Sequence, residues 1–203
     1  MKALVTGAAG QLGLELTRVF GQDGEVVALP RARLDICDHE AVLHVTRETR
    51  PDVILNCAAY NDVDGAETDP GAAMQVNGFG VRSLAAAARE TGAVLVHYGT
   101  DFVFDGHGTT PYREDHPTAP LSVYGRTKLL GLLSAGDPRG EVKAMWHAKQ
   151  VVRSIYEHRD PDLALEFVER LGRDLQDEDH PIEAHQLAAL DVQRLRDTTD
   201  RTV

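Results

Sequence analysis

Tyr124 and Lys128 stand four residues apart in the stretch Tyr124-Gly125-Arg126-Thr127-Lys128. On a helix, positions i and i+4 share one face, so a phenol and an ammonium can point into the same cleft. A free tyrosine, with a pKa of about 10, parts with its proton reluctantly near neutral pH. A nearby ammonium stabilises the phenolate and brings that pKa toward the working range. Such a tyrosine can donate a proton to a carbonyl oxygen as the carbon is reduced. Thr100 follows an apolar strand-like run, and its hydroxyl can bond the same carbonyl oxygen. Alone, a threonine there reads as a cap or turn hydroxyl, and a lone Tyr-x-x-x-Lys is usually a surface coincidence. Position decides between these readings. The pair falls on the helix after a fourth strand, and Thr100 falls at that strand's carboxyl end, where ligands bind in open parallel sheets.

A second motif supplies the other reactant. Leu4-Val5-Thr6-Gly7-Ala8-Ala9-Gly10-Gln11-Leu12-Gly13 reads as a strand, a glycine-rich turn and a helix start. Gly7 permits the tight turn, Gly10 clears a path for a pyrophosphate to approach the backbone, and Gly13 lets the helix pack close to the sheet. The phosphates then sit at the positive end of the helix that begins near Gln11. The spacing is G-x-x-G-x-x-G, and the plain alternative is a glycine turn with no ligand. With the Tyr–Lys pair downstream, the combination points to a nicotinamide-dependent reductase in which Lys128 also holds the nicotinamide ribose. The end of the second strand reads Ala28-Leu29-Pro30-Arg31-Ala32-Arg33, two arginines and no acid. An arginine can pair with a 2′-phosphate, which favours NADP (NADPH when reduced), with NAD as the alternative. Ordinary solvated surface charge is the competing reading of Arg31 and Arg33. Leu34-Asp35-Ile36 follows and can lie near the adenine.

These residues require a scaffold of alternating strands and helices. Strands are expected at Lys2–Thr6, Glu25–Leu29, Asp52–Ala58 and Val94–Tyr98, and helices at Gln11–Phe20, His39–Glu48 and Leu121–Leu133. Asp69-Pro70 opens a further helix, with Asp as cap and Pro at the first position, which runs on through Ala85–Thr91 to a stop at Gly92. Continuous apolar strands between helices imply a parallel sheet covered on both faces. The expected fold class is α/β, a Rossmann-type doubly wound parallel sheet.

Bulk properties narrow the partners. The net charge is −11, from 21 Lys and Arg against 32 Asp and Glu, which argues against nucleic acid and anionic membrane as partners. Cys37 and Cys57 are the only cysteines, so a reducing compartment fits. No signal-like leader and no long apolar span is seen, and a cytoplasmic protein is expected.

A wider set of stretches carries a family resemblance. Beyond the two motifs above it includes Asn56-Cys57-Ala58-Ala59-Tyr60, Val63-Asp64-Gly65-Ala66-Glu67, Val76-Asn77, Gly99-Thr100-Asp101-Phe102-Val103-Phe104-Asp105-Gly106 and Pro111-Tyr112. Residues 1–140 resemble the N-terminal part of the dTDP-4-dehydrorhamnose reductases, extended short-chain dehydrogenase/reductases. The resemblance implies NADPH- or NADH-dependent reduction of the C4 ketone of a dTDP-linked deoxyhexose, the last step to dTDP-L-rhamnose. It implies Thr100, Tyr124 and Lys128 as the catalytic trio. It also implies cofactor contacts from Gly10, Gln11, Leu12, Asp35, Ile36, Ala58, Ala59, Tyr60 and Lys128. The family usually has Ser where Gly99 stands and Tyr where Phe102 stands, which bears on efficiency more than identity.

After Gly140 the pattern changes to helix, an Asp160-Pro161 break, and helix, with no strand signal. Residues 141–188 resemble a C-terminal stretch of DDE-type insertion-sequence transposases, through Trp146-His147-Ala148-Lys149-Gln150-Val151-Val152-Arg153, Asp160-Pro161-Asp162-Leu163-Ala164 and Arg170-Leu171-Gly172-Arg173-Asp174-Leu175-Gln176-Asp177. Residues 141–203 hold 9 basic and 14 acidic residues, so charge alone makes no DNA-binding surface there. His147, His158, His180 and His185 lack metal-ligand spacing, and no metal site is expected. The expected organisation is a truncated NAD(P)-binding domain at 1–140 and a helical tail of foreign origin at 141–203, without a sugar-binding domain. Three further readings compete: a non-catalytic NAD(P)-binding module, an epimerase or dehydratase of the same superfamily, and a transposase remnant with DNA affinity, which the acid balance disfavours.

Overall fold

Lys2–Thr6 forms strand β1, and every residue of it after Lys2 is buried, as expected of a strand covered on both faces. The structure, a computed structural model, describes residues 1–113 and 116–135. The expected tail at 141–203, its helices and its transposase-like stretch lie outside the described residues. So do residues 136–140 of the expected first domain.

Helix α1 (Gln11–Phe20) leads to β2 (Glu25–Leu29), and α2 (His39–Thr49) leads to β3 (Val53–Asn56). A run of α3 (Val63–Thr68), α4 (Pro70–Met74), a π-helical segment (Gln75–Gly80) and α5 (Val81–Thr91) then reaches β4 (Val94–His97). A 3₁₀ turn (Asp101–Val103) and α6 (Val123–Ala135) follow. The sheet order is β2-β1-β3-β4, all parallel. The chain runs one way from β1 to β2 and the other way from β2 through β4, so the order reverses between β1 and β3. Ligands bind at such a reversal, beyond the strands' carboxyl ends.

Local chemistry sets the helix boundaries. Asp38, Asp62 and Asp69 accept the N–H groups of Ala41, Gly65 and Ala72 at 3.0, 2.8 and 2.9 Å, capping α2, α3 and α4. Gly92 ends α5 in the left-handed region. One face of the sheet carries Leu4, Ile54 and Leu29 against Val42 of α2 and Leu84 of α5. The other carries Ala3, Val5 and Leu55 against Leu16 and Phe20 of α1. Two expected strands are shorter than the apolar runs suggest. Asp52, Cys57, Ala58 and Tyr98 fall outside the strands, although the Cys57 N–H still donates to the Thr6 oxygen at 3.2 Å before the chain turns into the loops above the sheet.

Candidate active site

The glycine turn rises from β1 beside the end of β3. Gly7 has φ of +61°, and a Cβ there would lie 2.6 Å from the Ala58 nitrogen, so no other residue fits. A Cβ on Gly13 would lie 2.5 Å from the Gly7 oxygen, so its absence lets α1 pack onto the turn. Gly10 is different. A Cβ there would make only an ordinary contact, 3.4 Å from the Gly7 oxygen. Nothing inside the protein demands glycine at that position, whereas an approaching phosphate does. Gly10 also occupies the cap position of α1 without a side-chain cap. The first turn of α1 thus presents its amides at an exposed surface that includes Gly10, Gln11 and Leu12.

Beyond β2, Arg31 pairs with Asp35 at 3.3 Å. Asp35 also accepts the Cys37 N–H at 3.0 Å. Burial works against its charge, but the Cys37 and Arg31 contacts win and hold its carboxyl below the usual range. Arg31 itself is well exposed and Asp35 partly so. The side chain of Ile36 belongs to the core and packs where a Gly80 side chain would stand.

Past β3 the chain enters Ala58-Ala59-Tyr60, held by two buried asparagines. Asn56 Oδ1 accepts the Ala58 N–H at 3.1 Å. Asn77 Oδ1 accepts the Tyr60 N–H at 2.9 Å, and Asn77 Nδ2 donates to the Tyr60 oxygen at 3.0 Å. Asn77 Nδ2 also donates to Thr127 Oγ1 at 3.2 Å, and the Thr127 hydroxyl donates to the Tyr124 oxygen at 2.8 Å. One carboxamide, carried on the π-helical segment, therefore ties the Tyr60 turn to α6. Neither asparagine's role was read from the sequence. The available signal was a polar residue inside the apolar helical run Ala72-Ala73-Met74-Gln75-Val76-Asn77.

Helix α6 brings in the Tyr–Lys pair. Its first N–H, that of Val123, donates to Glu67 Oε1 at 2.7 Å. Gly125 faces the Phe102 carbonyl and Gly131 faces the Asn77 carbonyl, both too close for a side chain. These contacts seat α6 against the 3₁₀ turn and the π-helical segment. Tyr124 is 8% exposed, and its phenol feels the Thr100 side chain, whose hydroxyl donates to Asp101 Oδ1 at 3.3 Å and accepts the Phe102 N–H at 3.3 Å. The Phe102 ring meets the Tyr124 ring edge-on, with centroids 5.5 Å apart. Lys128 is 4% exposed, and its Nζ donates to the Tyr98 oxygen at 2.8 Å. A side chain on Gly99 would touch Leu132 of α6 at 3.3 Å.

The structure thus brings Thr100, Tyr124 and Lys128 together at the carboxyl end of β4. It corrects the expected electrostatics. Burial raises the Tyr124 phenol above its ordinary pKa, more than the neighbouring Thr100 side chain lowers it, and the Asp101 charge adds to the rise. Burial in turn lowers Lys128. The ammonium is engaged with a backbone carbonyl in this state, and it does not lower the phenol. Cys37 and Cys57 form no disulfide with each other. Among the described residues no helix is long and apolar enough to cross a membrane.

Comparison with known proteins agrees with this fold. Residues 1–136 match the family model of the RmlD substrate binding domain. The dTDP-4-dehydrorhamnose reductase of Streptomyces griseus is 55% identical over 129 residues, 63% of this chain and 42% of the relative. That of Burkholderia thailandensis is 47% identical over 141 residues, 70% of this chain and 47% of the relative. Among solved structures, dTDP-4-dehydrorhamnose reductase from Bacillus anthracis, in complex with NADP, superimposes with a TM-score of 0.65 at 36% identity. The match covers 66% of this chain and 48% of that one. The chain spans about half the length of the curated relatives it matches, 42% and 47% for the two named here. With the glycine turn and the Thr–Tyr–Lys cluster in place and the family model matched over 1–136, this chain belongs to the RmlD substrate binding domain family.

Proposed function

We propose that this chain is the cofactor-binding half of an NADPH-dependent reductase acting on the C4 ketone of dTDP-4-dehydro-L-rhamnose in dTDP-rhamnose biosynthesis. The observation that carries the reading is the placement of Tyr124 against the turn that Thr100 caps, its ring meeting Phe102 at 5.5 Å, with buried Lys128 one helical turn further along α6. The cofactor fits the residues present: the uncapped start of α1 and the open space at Gly10 suit a pyrophosphate, with Gly7, Gln11, Leu12 and Gly13 around it. Arg31 suits a 2′-phosphate, and Asp35, Ile36 and Ala58–Tyr60 frame the nucleoside side. When bound, the nicotinamide supplies hydride to the ketone carbon. Thr100 and Tyr124 orient the ketone oxygen through their hydroxyls, and Tyr124 gives it the proton. Burial keeps the phenol protonated at neutral pH, so the proton is there to give, while its raised pKa makes it a weaker donor than one tuned to the working range. Lys128 would hold the nicotinamide ribose. NAD serves as the alternative cofactor, and a reducing cytoplasm suits two cysteines not joined in a disulfide. The likeness of 141–188 to transposases rests on sequence motifs alone and adds no activity to this reading.

Calorimetric titration with NADPH tests the proposal. Saturable binding is expected, and no saturable heat at millimolar cofactor would refute it. A second reading, cofactor binding without turnover, draws on the span of about half a relative's length. Loss of NADPH absorbance on adding the dTDP-4-dehydro sugar separates the two: turnover supports the reductase, and binding without turnover supports the module.

A further inference from the structure

The last rung of the sheet below the site is polar. Thr6 stands opposite Asn56, and Asn56 opposite His97, in the parallel register. Thr6 Oγ1 donates to Asn56 Oδ1 at 2.8 Å, and Asn56 Nδ2 meets His97 Nδ1 at 3.0 Å. The orientation of the amide is fixed by a group that has no choice of role. The backbone N–H of Ala58 points at Oδ1 from 3.1 Å, and a backbone N–H can only donate. The amide oxygen must therefore face Ala58, and the NH₂ must face His97. His97 Nδ1 must then accept, which leaves the ring neutral with its proton on Nε2. That Nε2 is buried with no partner among the described residues. The Lys128 ammonium, whose charge acts on the ring, donates to the Tyr98 carbonyl.

We propose that His97 is a positioning residue for the Cys57–Tyr60 turn: its bare Nδ1 orients the Asn56 carboxamide, whose oxygen holds the Ala58 N–H in the stretch that contacts cofactor. The functional consequence rests on the cofactor reading of Ala58–Tyr60, but the orientation itself does not. Burial, with the Lys128 charge, pushes the ring down to about 4, so the neutral state persists through neutral pH.

Long-range ¹H–¹⁵N correlation on the full chain, with His97→Gln to assign the signals, reads the tautomer directly. The expected result is a bare Nδ1 and a protonated Nε2, unchanged from pH 8 to pH 6. A protonated Nδ1 overturns the proposal. Asn56→Asp, whose carboxylate only accepts, should place a proton on Nδ1, and a bare Nδ1 in that variant counts equally against it. His97→Leu removes the acceptor and His97→Gln returns one. Ala58 amide exchange should quicken roughly five- to tenfold in the Leu variant, the effect of losing one ordinary hydrogen bond, and stay near the parent in the Gln variant. Equal exchange in all three overturns the proposal. NADPH affinity should follow the same order. Failure of NADPH to bind even the parent would refute the cofactor reading alone, since tautomer and exchange are read without cofactor.

Discussion

Lys128 Nζ is tied to the carbonyl oxygen of Tyr98 at 2.8 Å, so the buried ammonium of α6 reports on the end of β4 and not on the phenol one turn away. Its folded-state pKa is lowered by burial. The folded chain therefore holds that proton less well than the unfolded chain, and the stability penalty is present at neutral pH and fades only as pH rises toward 10.5. Lys128→Met should raise the urea midpoint at neutral pH while abolishing saturable NADPH heat. A lower midpoint would mean that the Tyr98 bond outweighs the desolvation of the charge.

The glycine turn separates fold from ligand within one motif. Gly7→Ala places a side chain at φ +61° and 2.6 Å from backbone. It should cost about 2–4 kcal/mol, the range for strain combined with overpacking. Gly10→Ala meets only a 3.4 Å contact, so its unfolding curve should match the parent. Its NADPH affinity should nevertheless fall by at least about tenfold, because a methyl group blocks the backbone amides that phosphate needs. Urea unfolding and calorimetry on both variants check the contrast. A destabilised Gly10→Ala with normal binding would reverse the assignment.

Arg31 is exposed and pre-set by Asp35. Arg31→Ala should weaken NADPH by roughly fivefold, the scale of an exposed ion pair of about 1 kcal/mol, and leave NADH unchanged. Equal loss for both cofactors would place Arg31 elsewhere than at the 2′-phosphate.

Tyr124→Phe keeps the ring against Phe102 and removes only the hydroxyl. In a chain completed with the remaining half of a relative, ketone reduction should drop by about 10²–10⁴-fold, the usual worth of a general acid, with NADPH affinity unchanged. Single-turnover rates decide it, and an unchanged rate would remove Tyr124 from the role of acid.

Much of this was legible because the informative residues are local. The strands at Lys2–Thr6 and Glu25–Leu29 and the helix at Gln11–Phe20 match their apolar runs to the residue, and Gly92 marks the end of α5. Helix α3 was not foreseen, because Val63-Asp64-Gly65-Ala66-Glu67-Thr68 is too short and polar for a period to show; its Asp62 cap and packing against α6 make it helical. The π-helical segment was also invisible, since its sequence is compatible with ordinary helix and only the close approach of Gly131 to the Asn77 carbonyl reveals the constraint. That Thr100, Tyr124 and Lys128 fall near the carboxyl end of β4 was legible from spacing and resemblance, whereas their catalytic roles belong to the proposal. The sign of the Tyr124 shift was not legible, because it turns on burial, which depends on residues distant in sequence. The rung of Thr6, Asn56 and His97 spans positions 50 and 41 residues apart, beyond the reach of any local motif.

The same rung gives the chain an acid limb. His97 has an ordinary pKa of 6.5 and is pushed down to about 4, first by burial and then by the Lys128 charge. The unfolded chain therefore binds a proton that the folded chain refuses. The stability from this group is fully present above pH 6.5 and is lost as pH falls from 6.5 toward 4. Between pH 7 and pH 5 the parent should lose about 2 kcal/mol through this residue. His97→Gln keeps an acceptor for Asn56 but cannot titrate, and the carboxylates common to both proteins cancel in the difference. The stability gap between parent and His97→Gln should shift in favour of the variant by about that amount over the same interval. Urea unfolding at the two pH values measures the gap, and parallel pH profiles for the two proteins would show that His97 titrates alike folded and unfolded.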